Sequence, residues 1–131
     1  MKLPVSLSVG VGSAFGGLSR FYADTFLLSI VSANVYTSLF LINMFGSFLI
    51  GFFLIRSQVA SDEGAKLTWY FWGVGFCGGF TTFASFVLLL VNGLMNARAI
   101  ETGIYATFSV LSGLLALVTG LIIGQKLLLK S

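Results

Sequence analysis

The sequence contains few of the residues on which most catalytic and metal sites depend. Its 131 residues include no histidine and one cysteine, and Asp and Glu together number four. A single cysteine excludes an internal disulfide, and the missing histidine excludes a Cys/His metal cluster. It also removes the usual base that activates a serine or threonine nucleophile. Cys77 has no neighbouring base or cation, so we interpret it as a packing residue and expect no enzyme activity.

Charge of either sign is scarce as well. Charged residues make up 8% of the chain and hydrophobic residues 57%, whereas soluble domains carry about 25% charged residues. The mean hydropathy of +1.03 agrees with this deficit. The composition therefore predicts an integral membrane protein in contact with the lipid bilayer, and the length predicts one domain over residues 1–131. No basic run accompanies the net charge of +3, so we expect no nucleic-acid partner.

Hydrophobic segments occur four times along the chain, and each is long enough to cross a membrane. The second, "TSLFLINMFGSFLIGFFLI", would span about 28 Å as a helix, close to the hydrocarbon thickness of a bilayer. The sequence therefore predicts an all-α membrane protein with four transmembrane helices, at about 4–29, 37–55, 67–91 and 100–129. An even number of spans places both termini on one side.

The few positive charges divide unequally between the two predicted sides. One side has five: Lys2, Arg56, Lys66, Lys126 and Lys130. The other has Arg98 and, at an uncertain depth, Arg20. Because cytoplasmic loops carry an excess of Lys and Arg, this bias predicts that both termini face the cytoplasm.

The four acids lie near the ends of the predicted spans or in loops: Asp24, Asp62, Glu63 and Glu101. Proton-coupled transport needs an ionisable group within the membrane, so their positions argue against it. A small four-span transporter of the multidrug-resistance type remains an alternative, although the first helix offers it only Asp24, near the helix end. A non-transporting accessory membrane subunit, assembled through its glycine faces, is a further alternative.

The stretch "GFCGGFTTFASF" at 75–86 interrupts the third predicted span. Each glycine weakens a helix by about 1 kcal/mol relative to alanine. If the helix unwinds here, its free backbone groups must face protein, water or an ion, because lipid cannot satisfy them. Free carbonyls at this depth suit a hard cation such as Na⁺. The spaced phenylalanines could turn positive ring edges toward an anion, but such a stripe is also typical of packing.

Neutral polar residues remain within the spans, and Asn43 is the most costly of them to bury. Its amide fits interhelical hydrogen bonding and pore lining equally well. For isolated serines and threonines we favour interhelical contacts, or a bond to the carbonyl of the preceding helical turn.

Three stretches resemble one family, the CrcB/Fluc fluoride channels. They are "GSAFGGLSRFY" at 12–22, "LINMFGSFLIG" at 41–51, and "GFCGGFTTFASF". The resemblance covers essentially the whole chain, and the third stretch is the most specific. It implies a passive fluoride-selective channel that exports fluoride from the cytoplasm and confers fluoride resistance. It also implies an antiparallel dimer of dual topology, a third helix broken near Gly78–Thr81, and one structural Na⁺ at the dimer centre.

The resemblance also assigns site residues by motif position. Arg20 would lie near a pore entrance, and the main-chain carbonyls of Gly78 and Thr81 would hold the Na⁺. The implied fluoride pathway comprises Asn43, Phe83, Phe86, Ser85, Ser109, Ser112 and Tyr105. The chain departs from the motif at Ala84, where the family carries a hydroxyl.

The charge bias raises a question about the partner subunit. An antiparallel homodimer needs one sequence to insert both ways, so little Lys/Arg asymmetry is expected. One hypothesis is therefore a pair with an oppositely oriented paralogue, although we favour the homodimer because the counts are small. The resemblance implies a multi-pass protein of the bacterial cell membrane.

Overall fold

The computed structural model describes residues 4–59 and 62–129, and this part of the chain is helical without strands. The helices are α1 (Val5–Ser29), α2 (Val35–Val59), α3, α4 (Phe83–Met95) and α5 (Ala99–Leu129). Helix α3 consists of three consecutive stretches, Glu63–Thr68, Trp69–Phe76 and Cys77–Phe80, of which the middle one is π-helical.

Side-chain caps make α2 and α3 begin before the apolar runs that predicted them. The Asn34 side chain accepts the N–H of Thr37 at 2.8 Å. The Asp62 side chain accepts the N–H of Ala65 at 2.9 Å. Both caps satisfy an N–H that has no partner within the helix. Helix α2 therefore begins at Val35 rather than at about 37, and α3 begins at Glu63 rather than at about 67.

Three of the described segments are long and apolar enough to cross a membrane. They are Val35–Val59, Glu63–Met95 and Ala99–Leu128, with mean hydropathies of 2.1, 2.0 and 2.2. Helix α1 also has 25 residues, about 37 Å, yet it is not among the three. Its serines and glycines, together with Arg20 and Asp24, make it less apolar.

The helices associate as two parallel pairs. Helix α1 lies along α3, where the Ser13 hydroxyl donates to the Gly75 carbonyl at 3.3 Å. Helix α2 lies along α5, where Gly51 contacts the backbone of Leu117. The two pairs run in opposite directions, so the start of α1 and the end of α5 lie at the same end of the bundle.

The positive charges on the described residues are distributed between the two ends of the bundle in the direction that the sequence predicts. Arg56, Lys66 and Lys126 lie at the end of the bundle where α1 begins, because they belong to the end of α2, the start of α3 and the end of α5. Arg98 lies at the opposite end, just before α5. Lys2 and Lys130, which were also counted, lie outside the described residues.

Close approach of α1 to α3 depends on glycine. A Cβ added at Gly16 would overlap the backbone carbonyl of Phe76, and one added at Gly12 would overlap that of Phe71. Small residues of this kind let membrane helices pack backbone to backbone. Both glycines therefore act as packing residues, which is common for small residues four positions apart in membrane helices.

We expect Gly16→Ala to destabilise the protein by about 2 kcal/mol, because its methyl group would meet backbone that cannot move aside. The matched control is Gly10→Ala, since nothing lies within 4 Å of a Cβ built at Gly10. The thermal midpoint of purified protein in detergent measures both. Equal midpoints for the two variants would contradict the packing role of Gly16.

Candidate functional site

The helix is interrupted at Thr81 and Thr82, between α3 and α4. Thr81 has φ −87° and ψ 163°, and Thr82 has φ −150° and ψ 122°, both extended. The Thr81 hydroxyl donates to the Cys77 carbonyl at 2.8 Å. The Thr82 hydroxyl accepts the N–H of Ser85 at 3.3 Å and so caps α4. The two threonines thus end one helix and begin the next.

One side chain pairs with both main-chain groups of Thr82. The Thr82 N–H donates to Asn43 Oδ1 at 3.0 Å, and Asn43 Nδ2 donates to the Thr82 carbonyl at 3.3 Å. Unpaired backbone groups are costly at membrane depth, so these two hydrogen bonds from Asn43 stabilise the interruption. An amide nitrogen carries two hydrogens, and Thr82 uses one of them. Interhelical bonding is therefore compatible with a second contact from Asn43.

Pairing with Asn43 changes the bonding of nearby carbonyls. In a continuous helix the Thr82 N–H would donate to the carbonyl of Gly78, and the Ser85 N–H to that of Thr81. Here they donate to Asn43 and to the Thr82 hydroxyl instead. Gly78 and Thr81 are thus among the carbonyls at the end of α3 that lack a helical donor. Gly78 is exposed, with nothing within 4 Å of a Cβ built on it.

A cavity of about 350 Å³, here called the main cavity, lies between α2, α5 and the interruption. Six of its lining residues were predicted site or cation residues: Asn43, Thr81, Phe83, Phe86, Tyr105 and Ser109. The other nine are Phe40, Met44, Ser47, Ile50, Thr82, Val110, Gly113, Leu114 and Leu117. None of these lining residues is Asp, Glu, Lys or Arg, so the cavity is neutral.

Helix α5 contributes two hydroxyl groups to the main cavity. The Tyr105 hydroxyl donates to the Tyr36 carbonyl at 3.2 Å. The Ser109 Oγ is buried, and among the described residues it has no hydrogen-bond partner of acceptable geometry. A buried hydroxyl without a partner is costly, so Ser109 can donate to whatever enters the cavity.

The two motif phenylalanines differ in exposure. Phe83 is 78% exposed, so the rest of the subunit covers little of it. Phe86 is half-buried, and its ring centroid lies 6.2 Å from that of Phe83 and 5.9 Å from that of Tyr105. The predicted pair therefore includes one ring held within the subunit and one at its surface.

Arg20 and Ser85 lie outside the main cavity but contact each other. Arg20 Nη2 donates to Ser85 Oγ at 3.0 Å, and the Thr82 hydroxyl donates to the same oxygen at 3.4 Å. Hydrogen bonds thus run from Arg20 through Ser85 and Thr82 to Asn43. Arg20 also lines a second cavity of about 260 Å³, together with Gly17, Phe21, Asp24 and Gly79.

Ser112 is half-buried on α5 and is not among the residues that line either cavity. Ser47 and Thr82, by contrast, line the main cavity although they were not assigned to the pathway. Spacing could have identified both. Ser47 follows Asn43 by four residues on one helix face, and Thr82 precedes Ser85 by three, as a capping residue does.

Comparison with known proteins identifies the family. The family described as "CrcB-like protein, Camphor Resistance (CrcB)" matches residues 7–121, which is most of the chain. This chain belongs to that family. The resemblance inferred from the three motifs is therefore confirmed, and family membership together with the three apolar helices makes the chain a multi-pass membrane protein.

Curated relatives match over nearly their whole length. A protein of Francisella tularensis subsp. mediasiatica is 34% identical over 87% of this chain and 89% of its own. One from Chlorobium phaeobacteroides is 35% identical over 87% of both chains. One from Azotobacter vinelandii is 37% identical over 91% of this chain and 95% of its own. All three are named "Fluoride-specific ion channel FluC", which denotes a channel rather than an enzyme.

Removal of the Asn43 amide should destabilise the extended backbone between α3 and α4. We expect Asn43→Ala to destabilise the protein by about 2 kcal/mol, because the N–H and the carbonyl of Thr82 would both lose a partner. The control is Asn92→Ala, an exposed asparagine on α4. Thermal unfolding in detergent measures the difference, and a midpoint for Asn43→Ala as high as that of the control would show that other groups satisfy Thr82.

Proposed function

We propose that this chain is a passive fluoride-selective ion channel that exports fluoride from the cytoplasm. The observation that carries the proposal is the neutral main cavity, where the Asn43 amide, the buried Ser109 hydroxyl and the Phe86 ring converge. The names of the curated relatives support the same substrate.

The groups on the main cavity suit a small, strongly hydrated anion. Fluoride enters a pore only if donors replace part of its water. The second hydrogen of the Asn43 amide and the Ser109 hydroxyl are such donors, and the edge of the Phe86 ring carries partial positive charge. None of the lining residues carries a positive charge, so the ion meets weak contacts in succession and is not trapped.

The working unit in this proposal is an antiparallel dimer of four-span subunits, with α1 as the first span. A broken third span, formed by α3 and α4, would lie at the centre. Phe83 is 78% exposed beside the main cavity, and a second subunit would cover its ring and close the pathway. The partner is a second copy of this chain or an oppositely oriented paralogue. In bacteria the location would be the cell membrane.

A structural Na⁺ belongs to the same proposal. The carbonyls of Gly78 and Thr81 lack helical donors, and oxygen ligands of this type suit a hard cation. Gly78 is exposed, so the same pair from a second subunit can approach it. When bound, Na⁺ would hold the two interruptions together and supply positive charge near the anion pathway.

One observation favours the rival transporter. Asp24 lies within α1, five residues before its end at Ser29, and the predicted span of about 4–29 places it likewise. A carboxylate in the first helix is what a small multidrug-resistance-type transporter requires. Fluoride release from liposomes without a proton gradient distinguishes the channel from a proton-coupled transporter.

Fluoride efflux from liposomes that contain the purified protein tests the channel directly. We expect release of fluoride without a proton gradient, and a decrease of about tenfold in the rate for Phe86→Ile, which keeps bulk but removes the ring edge. Phe26→Ile is the matched control, since Phe26 is exposed on α1 and lines neither cavity. Failure of the wild-type protein to release fluoride would reject the channel, and an unchanged rate in Phe86→Ile would reject the role of the ring.

Removal of Na⁺ tests the cation. With N-methylglucamine in place of Na⁺, we expect the thermal midpoint of the detergent-purified protein to fall by several degrees, because ligands that bind only the folded state stabilise it. Potassium of equal ionic strength is the control. Equal thermal midpoints in Na⁺, potassium and N-methylglucamine would reject a structural Na⁺. That result would not contradict the proposed fluoride channel, which efflux tests independently.

A further inference from the structure

We propose that Asp24 restricts the entry of anions at the second cavity, where its carboxylate offsets the positive potential of Arg20. This inference rests on the proposed function. It assigns a role in limiting anion entry to a carboxylate that the motifs do not include.

The two charges lie on the same cavity but are held separately. Asp24 follows Arg20 by four residues on α1, so the two side chains share a helix face. Arg20 donates to Ser85 at 3.0 Å, whereas the Asp24 carboxylate accepts the hydroxyl of Ser38. Each side chain therefore has a fixed partner on another helix, and the cavity between them presents one positive and one negative charge.

Ser38 fixes the carboxylate in place. It lies on α2 with none of its surface exposed, and its hydroxyl donates to Asp24 Oδ1. A carboxylate held in this way cannot turn away when an anion approaches Arg20. The carboxylate therefore keeps its position at the second cavity.

The Asp24 carboxylate lies where it can change the electrostatic potential of the second cavity. Arg20 and Asp24 are the only charged residues among the five that line the second cavity, so its potential depends on their balance. Charges in a partly buried cleft interact more strongly than they do in bulk water, and salt screens them less. Arg20 is hydrogen-bonded to Ser85, which in turn contacts Thr82, so an anion attracted to Arg20 would lie close to the interruption. Asp24 repels the anion at this first step.

The test is fluoride efflux from liposomes at low ionic strength. We expect Asp24→Asn to raise the initial rate by about threefold, because clefts of one charge sign concentrate counter-ions, and we expect high salt to reduce this gain. Asp24→Glu keeps the charge and should stay near the wild-type rate. If Asp24→Asn does not fold, Asp24→Ser provides the neutral variant.

Two control variants separate the local charge from other effects. Glu101→Gln removes an exposed acid in the first turn of α5, at the end of the bundle where α1 ends. Ser38→Ala frees the carboxylate to turn but keeps its charge beside Arg20, so any gain should be smaller than that of Asp24→Asn. Neither should reproduce the gain that is expected for Asp24→Asn.

Three outcomes would overturn the inference while leaving the channel intact. They are an unchanged or reduced rate in the neutral Asp24 variants, an equal gain in Glu101→Gln, and an equal gain in Ser38→Ala. The second would mean that only net charge matters, and the third that packing is responsible. A wild-type protein that releases no fluoride rejects the proposed function itself, and the inference with it.

Discussion

The pairing of Asn43 with the backbone of Thr82 is the interaction on which the rest of the site depends. A chain that leaves its helix within a membrane must satisfy the backbone groups that it frees, since lipid offers them nothing. One amide bonds both groups of Thr82, at 3.0 and 3.3 Å. Because Asn43 accepts the Thr82 N–H, the Gly78 carbonyl loses its helical donor. Because Thr82 is extended, its hydroxyl caps α4 and meets Ser85. The interruption beside the main cavity, and the hydrogen bonds that connect it to Arg20, depend on this single contact.

Local features of the site could be read from the sequence, whereas the links between them could not. The glycines and threonines at 75–86 predict a weak point, and Asn43 stands out as a polar residue in an apolar run. Their contact joins residues 39 positions apart, and it depends on how α2 packs against α3, which periodicity does not specify. Helix α5 shows the same limit. Ser109 and Ser112 lie one turn apart, and only Ser109 lines the main cavity.

The boundaries of the helices show where sequence reasoning discounted useful signals. Polar loops were taken to end the spans, although Asn34 and Asp62 are favourable capping residues that extend α2 and α3. At the end of α1 the apolar residues Phe26, Leu27 and Leu28 continue the helix past Asp24. The predicted span of about 4–29 already includes this carboxylate, and what it did not show is that Asp24 shares a cavity with Arg20. Sequence alone gave no reason to pair it with Ser38.

The two parallel helix pairs have a consequence for biosynthesis. Helix α1 packs on α3, and α2 packs on α5, so neither partner follows the other directly along the chain. During synthesis from the N-terminus, α1 is complete before the ribosome has made Ser85, the partner of Arg20. Helix α1, which is not among the three most apolar segments, therefore carries Arg20 without its partner Ser85 until α4 has been made. The contacts that hold the first helix therefore form only after the third span has been made, so the order of synthesis separates the formation of α1 from its packing.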